Sequence, residues 1–227
     1  MCYYFIENLD LIKSSLIHLD FELKRDGIDY YRIASESHNI LLKSMVQVLR
    51  GMNNFGLAGR KKNSSYICEV NFEKPVLLKK DIIKGCKYAW RFKVKELEKY
   101  SFEDDELKKY DGEDNNHLVS FFELLAMVQS DYFMKYNNQA KTLILSDDEM
   151  NTLEWLHIDI RNSLEHFVPK SYGATITKLL YSSVLCLENS SLCLIGSGNI
   201  YVTYKESEIE KILGPSLNKI KELLNAT

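Results

Sequence analysis

Long amphipathic stretches, with few residues that break helices, constrain the fold of this chain most. The 227 residues include only three prolines and ten glycines. Between residues 3 and 25, apolar side chains recur every third or fourth position, which predicts a helix with one buried stripe. A second stretch of this kind spans residues 28–50, after a break at Asp26 and Gly27. The short break predicts that the two helices form an antiparallel hairpin.

Further helices are predicted over residues 117–136, about 147–168, 174–188 and 206–224. The segment 192–204, LCLIGSGNIYVTY, is rich in β-forming residues around glycines and predicts a small β hairpin. Residues 51–116 have a different, mixed pattern and are predicted to be an insertion between two helical pairs. The sequence therefore predicts one mainly α domain over 1–227, an antiparallel helical bundle with that hairpin and that insertion.

The insertion carries a strongly uneven charge. Residues 60–100 hold twelve Lys/Arg against five Asp/Glu, and 101–116 hold seven acids against two lysines. Within the insertion, SYICEVNF at 65–72 predicts a short strand and 79–100 predicts a helix. The basic stretch is consistent with an anion-binding patch and equally with a solvated face.

The helix predicted at 147–168 contains the candidate functional residues. Ser146 and Glu149 have the spacing of a capping box, and Pro169 ends the helix. At 100° per residue, Leu153, Leu156, Ile160, Leu164 and Phe167 form a core-facing stripe. Arg161, Asn162 and His166 then bracket a polar sector that faces away from the core. Taken alone, such a sector is also typical of any solvated helix surface.

The segment Arg161-Asn162-Ser163-Leu164-Glu165-His166 resembles the R-polar-x-x-x-H signature of the HEPN superfamily. The following His166-Phe167-Val168-Pro169 is similar to a variant found in some bacterial members. The resemblance extends to the two predicted helical hairpins at 3–50 and 117–188, and it leaves the insertion and the 192–204 segment unexplained. It implies an all-α bundle with this motif near the end of a long helix.

The resemblance also implies an activity. Many HEPN domains are metal-independent endoribonucleases that act as homodimers, with two copies of the motif meeting across a two-fold axis. His166 would move protons while the ribose 2′-hydroxyl attacks the adjacent phosphate, and Arg161 would hold that phosphate. Asn162 would position either the phosphate or His166. Glu165 is a candidate for orienting His166. No metal and no other cofactor are expected, and the implied setting is a toxin, stress or anti-phage defence system.

RNA is the expected substrate, and Lys170, Arg60, Lys61 and Lys62 are candidates for binding its backbone. An antitoxin or regulatory protein is a further expected partner. Control by tyrosine modification is not predicted, because Val168 stands where some HEPN toxins carry the modified tyrosine. Two alternatives stay open at this stage. One is a non-catalytic HEPN-like dimer that binds RNA, a nucleotide or a protein; the other is an unrelated helical adaptor.

Cellular location is predicted from the cysteines and the N-terminus. The five cysteines, at positions 2, 68, 86, 186 and 193, form no CxxC pair and no zinc-ligand spacing, which favours a reducing compartment. The start, MCYYFIENLDLIKSS, is acidic where a secretion signal needs a basic end. We also expect no apolar run long enough to span a bilayer. The chain is therefore expected to be cytoplasmic and free of membrane contacts.

Overall fold

The structure is a computed structural model that describes residues 8–50, 76–78, 91–93, 121–129, 134, 141–162, 173–198, 200 and 204–227. Most of the insertion predicted at 51–116 lies outside these residues. So do Arg60, Lys61, Lys62, Glu165, His166 and Lys170, whose predicted roles stay predictions. The described part is mainly helical, which confirms the predicted class.

The first two helices form the predicted antiparallel hairpin. Helix α1 spans Asn8–Lys24 and α2 spans Tyr30–Arg50. Gly27 makes the turn with a φ of 83°, a left-handed value that suits glycine. The Oδ1 atom of Asp29 caps α2 by accepting hydrogen bonds from the backbone N–H groups of the second and third residues after it.

Polar contacts along the hairpin fix its antiparallel direction. Near the turn, Arg32 of α2 donates to Glu22 of α1 at 2.8 Å. Farther from the turn, Lys43 of α2 donates to the hydroxyl of Ser15 at 2.6 Å. Glu22 is buried, and the arginines on either side of it, led by Arg32, hold the pKa of its carboxyl below the usual range. The pair of helices is thus joined by charge as well as by apolar packing.

Helix α2 lies at the centre of the bundle. It packs against α1, against α3 (Phe121–Val128), and against α5 (Ile176–Ser191). The last helix, α6 (Tyr204–Asn225), contacts α1 and α5 and contains Pro215. One apolar cluster joins α1, α2, α5 and α6, and a second joins α2, α3, α5 and the helix that begins at Asp147. The predicted core stripes of α1 and α2 are buried in these clusters.

The segment predicted as a β hairpin at 192–204 begins as a helix. A π-helical turn, π2 (Leu192–Gly196), continues α5, and Gly198 follows with a φ of 74°, so the prediction of a strand there is wrong. Cys193 and Leu194 are buried while Leu192 and Ile195 are exposed, a spacing that suits a helix and breaks strand alternation. A short apolar run does not distinguish a strand from the end of a buried helix. Within the predicted hairpin, Asn199 and residues 201–203 lie outside the described residues.

Two short strands are described in the insertion. Strand β1 (Val76–Leu78) pairs antiparallel with β2 (Arg91–Lys93), with Val76 opposite Lys93. The helix predicted over 79–100 is therefore wrong at 91–93, where the chain is extended and pairs with β1. The strand predicted at 65–72 lies outside the described residues.

Helix α5 and π2 together form a long apolar run. By length and composition, Ile176–Gly196 could cross a membrane, with a mean hydropathy of 1.4, so the expectation of no such run is wrong. However, 67% of its apolar window is buried inside the protein, and α5 packs against both α2 and α6. This pattern is that of a helix buried in the protein core.

Candidate functional site

The helix that carries the motif begins as predicted. Helix α4 spans Asp147–Trp155, and Ser146 precedes it as the N-cap. The Ser146 hydroxyl accepts from the Glu149 backbone N–H at 3.3 Å, and the Glu149 carboxylate accepts from the Ser146 backbone N–H at 2.7 Å. This reciprocal pair is a capping box, which satisfies backbone donors that the first turn leaves open.

Removing the cap should destabilise the helix that leads to the motif. We expect Ser146→Ala to lower the free energy of unfolding by about 1 kcal/mol, because the backbone N–H of Glu149 loses its acceptor. Urea unfolding followed by circular dichroism measures the change. Ser146→Asp is the matched control, since aspartate also caps helices, and it should stay close to wild type. Equal losses in the two variants would contradict the role of the cap.

The motif helix changes its winding before it reaches the motif. After Trp155 the chain forms a π-helical turn, π1 (Leu156–Arg161), and the backbone N–H of Asn162 donates to the carbonyl of His157, five residues earlier. The predicted stripe is confirmed up to this point, with Leu153, Leu156 and Ile160 buried. A π turn holds more residues per turn than an α-helix, so angles drawn at 100° per residue lose their basis beyond Leu156. Such turns occur frequently at functional sites.

Arg161 and Asn162 lie together at the end of π1. The Nη1 atom of Arg161 donates to Oδ1 of Asn162 at 3.0 Å. Both side chains are half-buried, so the predicted sector is less open to solvent than a free helix surface would be. Of the residues predicted to be catalytic, these two are described. The remaining one, His166, and the supporting Glu165 lie outside the described residues.

A pair of histidines lies beside these residues. Nδ1 of His157, on π1, is 3.0 Å from Nε2 of His38, on α2. His38 is fully buried, and His157 is half-buried. The ring of His157 stacks on Phe121 of α3, with centroids 4.5 Å apart and an interplanar angle of 10°. Phe122 meets the same ring edge-on at 5.1 Å.

Both imidazoles are held neutral. Burial lowers the pKa of His38 to about 3, followed by repulsion from His157 when that ring is protonated and from the Arg161 guanidinium, although the Asn39 side chain acts in the opposite direction. Burial, followed by the charge of Arg161, lowers the pKa of His157 to about 4. Two neutral imidazole rings form one hydrogen bond when the N–H group of one ring donates to the unprotonated nitrogen of the other. The arrangement therefore places two uncharged polar rings within electrostatic reach of the Arg161 guanidinium.

No local pattern in the sequence predicts that these two histidines meet beside the motif. His38 has buried neighbours at Ala34, Leu41 and Met45, a helical spacing that puts it on the core stripe of α2. That spacing was available from the sequence and indicated a buried histidine. Its partner is 119 residues away, which no local pattern could identify.

A second group of side chains lies where α5 begins beside the motif helix. The Nζ atom of Lys178 sits 3.9 Å from the centroid of the Trp155 ring, a cation–π contact. Burial lowers the pKa of Lys178, and the negative charge of Asp159 opposes that shift. The surface near π1 thus carries positive, negative and aromatic groups.

Among the described residues, no three His, Cys, Asp or Glu side chains come together in a way that could hold a metal ion. Cys186 and Cys193 are buried, and burial raises the pKa of the Cys193 thiol to about 12. Burial also raises the pKa of Cys186. Thiols in such surroundings are poor nucleophiles and poor metal ligands. The polar groups around π1 are therefore the best candidates for chemistry in the described part of the chain.

Comparison of the chain with protein-family models, with curated proteins and with solved structures gives no match. The functional interpretation consequently depends on the motif and on the geometry around it.

Proposed function

We propose that this chain is a metal-independent endoribonuclease of the HEPN type. The observation that carries the proposal is the pairing of Arg161 with Asn162, the first two residues of the motif, at the end of a π-helical turn. Both side chains are half-buried, so part of each is accessible to a ligand and the remainder packs against the protein. A guanidinium with several donors in a fixed plane suits the oxygens of a phosphate.

The proposed reaction uses the RNA's own nucleophile. The ribose 2′-hydroxyl loses its proton and attacks the adjacent phosphorus, and the bond from phosphorus to the 5′ oxygen breaks. The leaving 5′ oxygen gains a proton, which gives a 2′,3′-cyclic phosphate and a 5′-hydroxyl. A histidine whose pKa lies near neutrality is suited to moving these protons, and His166 has that role in the proposal. Arg161 offsets the charge that develops on the phosphate oxygens.

The proposal includes a homodimer in which the two motifs meet across a two-fold axis. The surface beside the motif is partly apolar: Ile158 on π1 is half-buried, and Tyr181, one turn after Lys178 on α5, is 43% exposed. An isologous contact would cover such side chains twice, once in each subunit. In this arrangement one His166 removes the proton from the 2′-hydroxyl and the other donates to the leaving oxygen. Toxin, stress or anti-phage defence is the proposed setting, with an antitoxin or regulatory protein as a further partner.

The first test is RNA cleavage in the presence of EDTA. Purified wild-type protein should cut transfer RNA and total RNA in EDTA as fast as it does with Mg²⁺, because no step needs a metal. The products should carry a 2′,3′-cyclic phosphate and a 5′-hydroxyl, and RNA methylated at every 2′ oxygen should stay intact. Denaturing gels and end-group analysis by mass spectrometry give these results.

The control is Arg161→Ala protein purified in parallel, because a contaminating ribonuclease would cut RNA in both samples. Equal cleavage by the two proteins, or loss of wild-type cleavage in EDTA, would contradict the proposal. RNA binding without any cleavage would instead support the non-catalytic module.

A further inference from the structure

A continuous chain of hydrogen bonds links the central helix to the candidate arginine. Nε2 of His38 shares a hydrogen bond with Nδ1 of His157, and the carbonyl of His157 accepts from the backbone N–H of Asn162. Oδ1 of Asn162 then accepts from Nη1 of Arg161. The covalent frames of His157 and Asn162 join these three hydrogen bonds, so they form one path of contacts from His38 on α2 to Arg161.

Packing alone does not account for the two histidines. His38 is fully buried, and its ring lies 4.5 Å from that of Phe121, in surroundings that an apolar side chain could fill. Burying an imidazole costs free energy that a hydrogen bond only partly returns, and an apolar pair of similar shape avoids this cost. A polar pair at such a place is expected where orientation matters, because a hydrogen bond fixes ring direction in a way that apolar contact does not.

The π turn adds a reason for such a constraint. Its i to i−5 hydrogen bonds are uncommon, and such turns are frequent at functional sites. The carbonyl of His157 accepts one of these bonds, from Asn162, and the ring of His157 is held from outside the turn by His38 and Phe121. Stacking on Phe121 restricts the plane of the His157 ring, and the hydrogen bond to His38 restricts the direction in which Nδ1 points.

We propose that His38 is a positioning residue: through its hydrogen bond to His157 it holds the π1 turn in the geometry that presents Arg161 and Asn162 to an RNA phosphate. This role rests on the proposed ribonuclease function. His38 itself is buried and touches no substrate. It acts on the reaction only by keeping the guanidinium in place, and displacing that group by about an ångström is enough to slow a reaction about 100-fold.

Matched substitutions separate positioning from packing. In His38→Gln the side-chain amide reaches the place of Nε2 and can keep the hydrogen bond, whereas His38→Leu fills the space without it. We expect His38→Leu to lower kcat/KM for RNA cleavage about 10- to 100-fold, measured at a temperature at which circular dichroism shows the variant to be fully folded. The kcat/KM of His38→Gln should stay within about threefold of the wild-type value, because the hydrogen bond to His157 is kept. Equal activities of the two variants would overturn the proposal.

A second readout does not depend on cleavage. The NMR resonances of the Arg161 Nε–Hε group should shift in His38→Leu and stay near their wild-type positions in His38→Gln. If wild-type protein cuts no RNA but these resonances behave as expected, the positioning role stands and the ribonuclease proposal fails. If they do not move in His38→Leu, the positioning role is wrong whatever the protein does to RNA. Should a His38 variant fail to fold, His157→Asn and His157→Phe form the equivalent pair, since asparagine mimics Nδ1 and phenylalanine keeps the stacking.

Discussion

Replacing His166 with alanine is expected to lower RNA cleavage by roughly 100- to 10,000-fold, the usual contribution of a general acid–base group. In the proposed reaction histidine is the one residue type of the motif whose ordinary pKa lies near neutrality, so the variant has no group to take the proton from the 2′-hydroxyl. The loss should appear in kcat more than in KM, because Arg161 and Asn162 still bind the phosphate. Single-turnover cleavage in EDTA, followed on denaturing gels, measures the rate.

An exposed histidine provides the control for this substitution. His18 lies on the outer side of α1, far from π1 in the chain, and His18→Ala should cleave RNA at the wild-type rate. Size-exclusion chromatography with light scattering should give the same mass for both variants and wild type, which excludes a failure to assemble. Wild-type cleavage by His166→Ala would remove this histidine from the mechanism and leave the motif without its proton carrier.

The sequence was sufficient for much of the fold, because helical periodicity and capping act locally. The stripes on α1 and α2, the break at Gly27 and the capping box at Ser146 all depend on residues within about one turn of each other. Patterns that involve only such neighbouring residues can be recognised directly in the sequence. Burial of Leu153, Leu156 and Ile160 followed from the same rule.

The errors occurred where distant packing decides the local structure. The 192–196 segment has the composition of a strand, but it extends α5 because Cys193 and Leu194 complete a core built from other helices. The π1 turn likewise has no sequence signature that we could recognise, and angles drawn at 100° per residue do not describe its winding. Helical angles drawn from the sequence are therefore unreliable at the motif itself, which is where they were needed most.

The candidate site was predictable only in part for the same reason. Arg161 and Asn162 were identified from a short motif and are adjacent in the structure. The His38–His157 pair joins two helices through residues 119 positions apart, and it required three-dimensional contacts to be found. The histidine pair is connected to the motif by the hydrogen bond from Asn162 to the carbonyl of His157, and this bond exists only because π1 is a π turn. The connection could therefore not be inferred without knowing of the π turn.

Acid should destabilise the fold through this histidine pair. In the folded protein the pKa values are about 3 for His38 and about 4 for His157, whereas an unfolded chain gives histidine its ordinary value near 6.5. Both shifts are downward, so the unfolded state takes up protons first as the pH falls below about 6.5. The stability that the neutral pair provides is complete at pH 7 and is lost progressively towards pH 4.

The size of the loss follows from linkage. Each pKa unit corresponds to about 1.4 kcal/mol, and after a discount for the partial exposure of His157 we expect the pair to account for on the order of 3 kcal/mol between pH 7 and 4.5. Urea unfolding at the two pH values measures it, with wild type compared to the double variant His38→Gln with His157→Asn. The variant retains polar side chains that can bond to each other but has no group that titrates there, so its stability should fall much less.

Other groups also titrate in acid, and the comparison removes them. Glu22, whose pKa is lowered by Arg32 and Arg25, contributes stability that is lost as the pH falls through its own folded pKa, below the ordinary value for glutamate. That contribution is the same in wild type and in the double variant, and it cancels in the difference. If the double variant lost as much stability as wild type, the pair would be carrying protons in the folded state, and a neutral, bonded pair beside Arg161 would be ruled out.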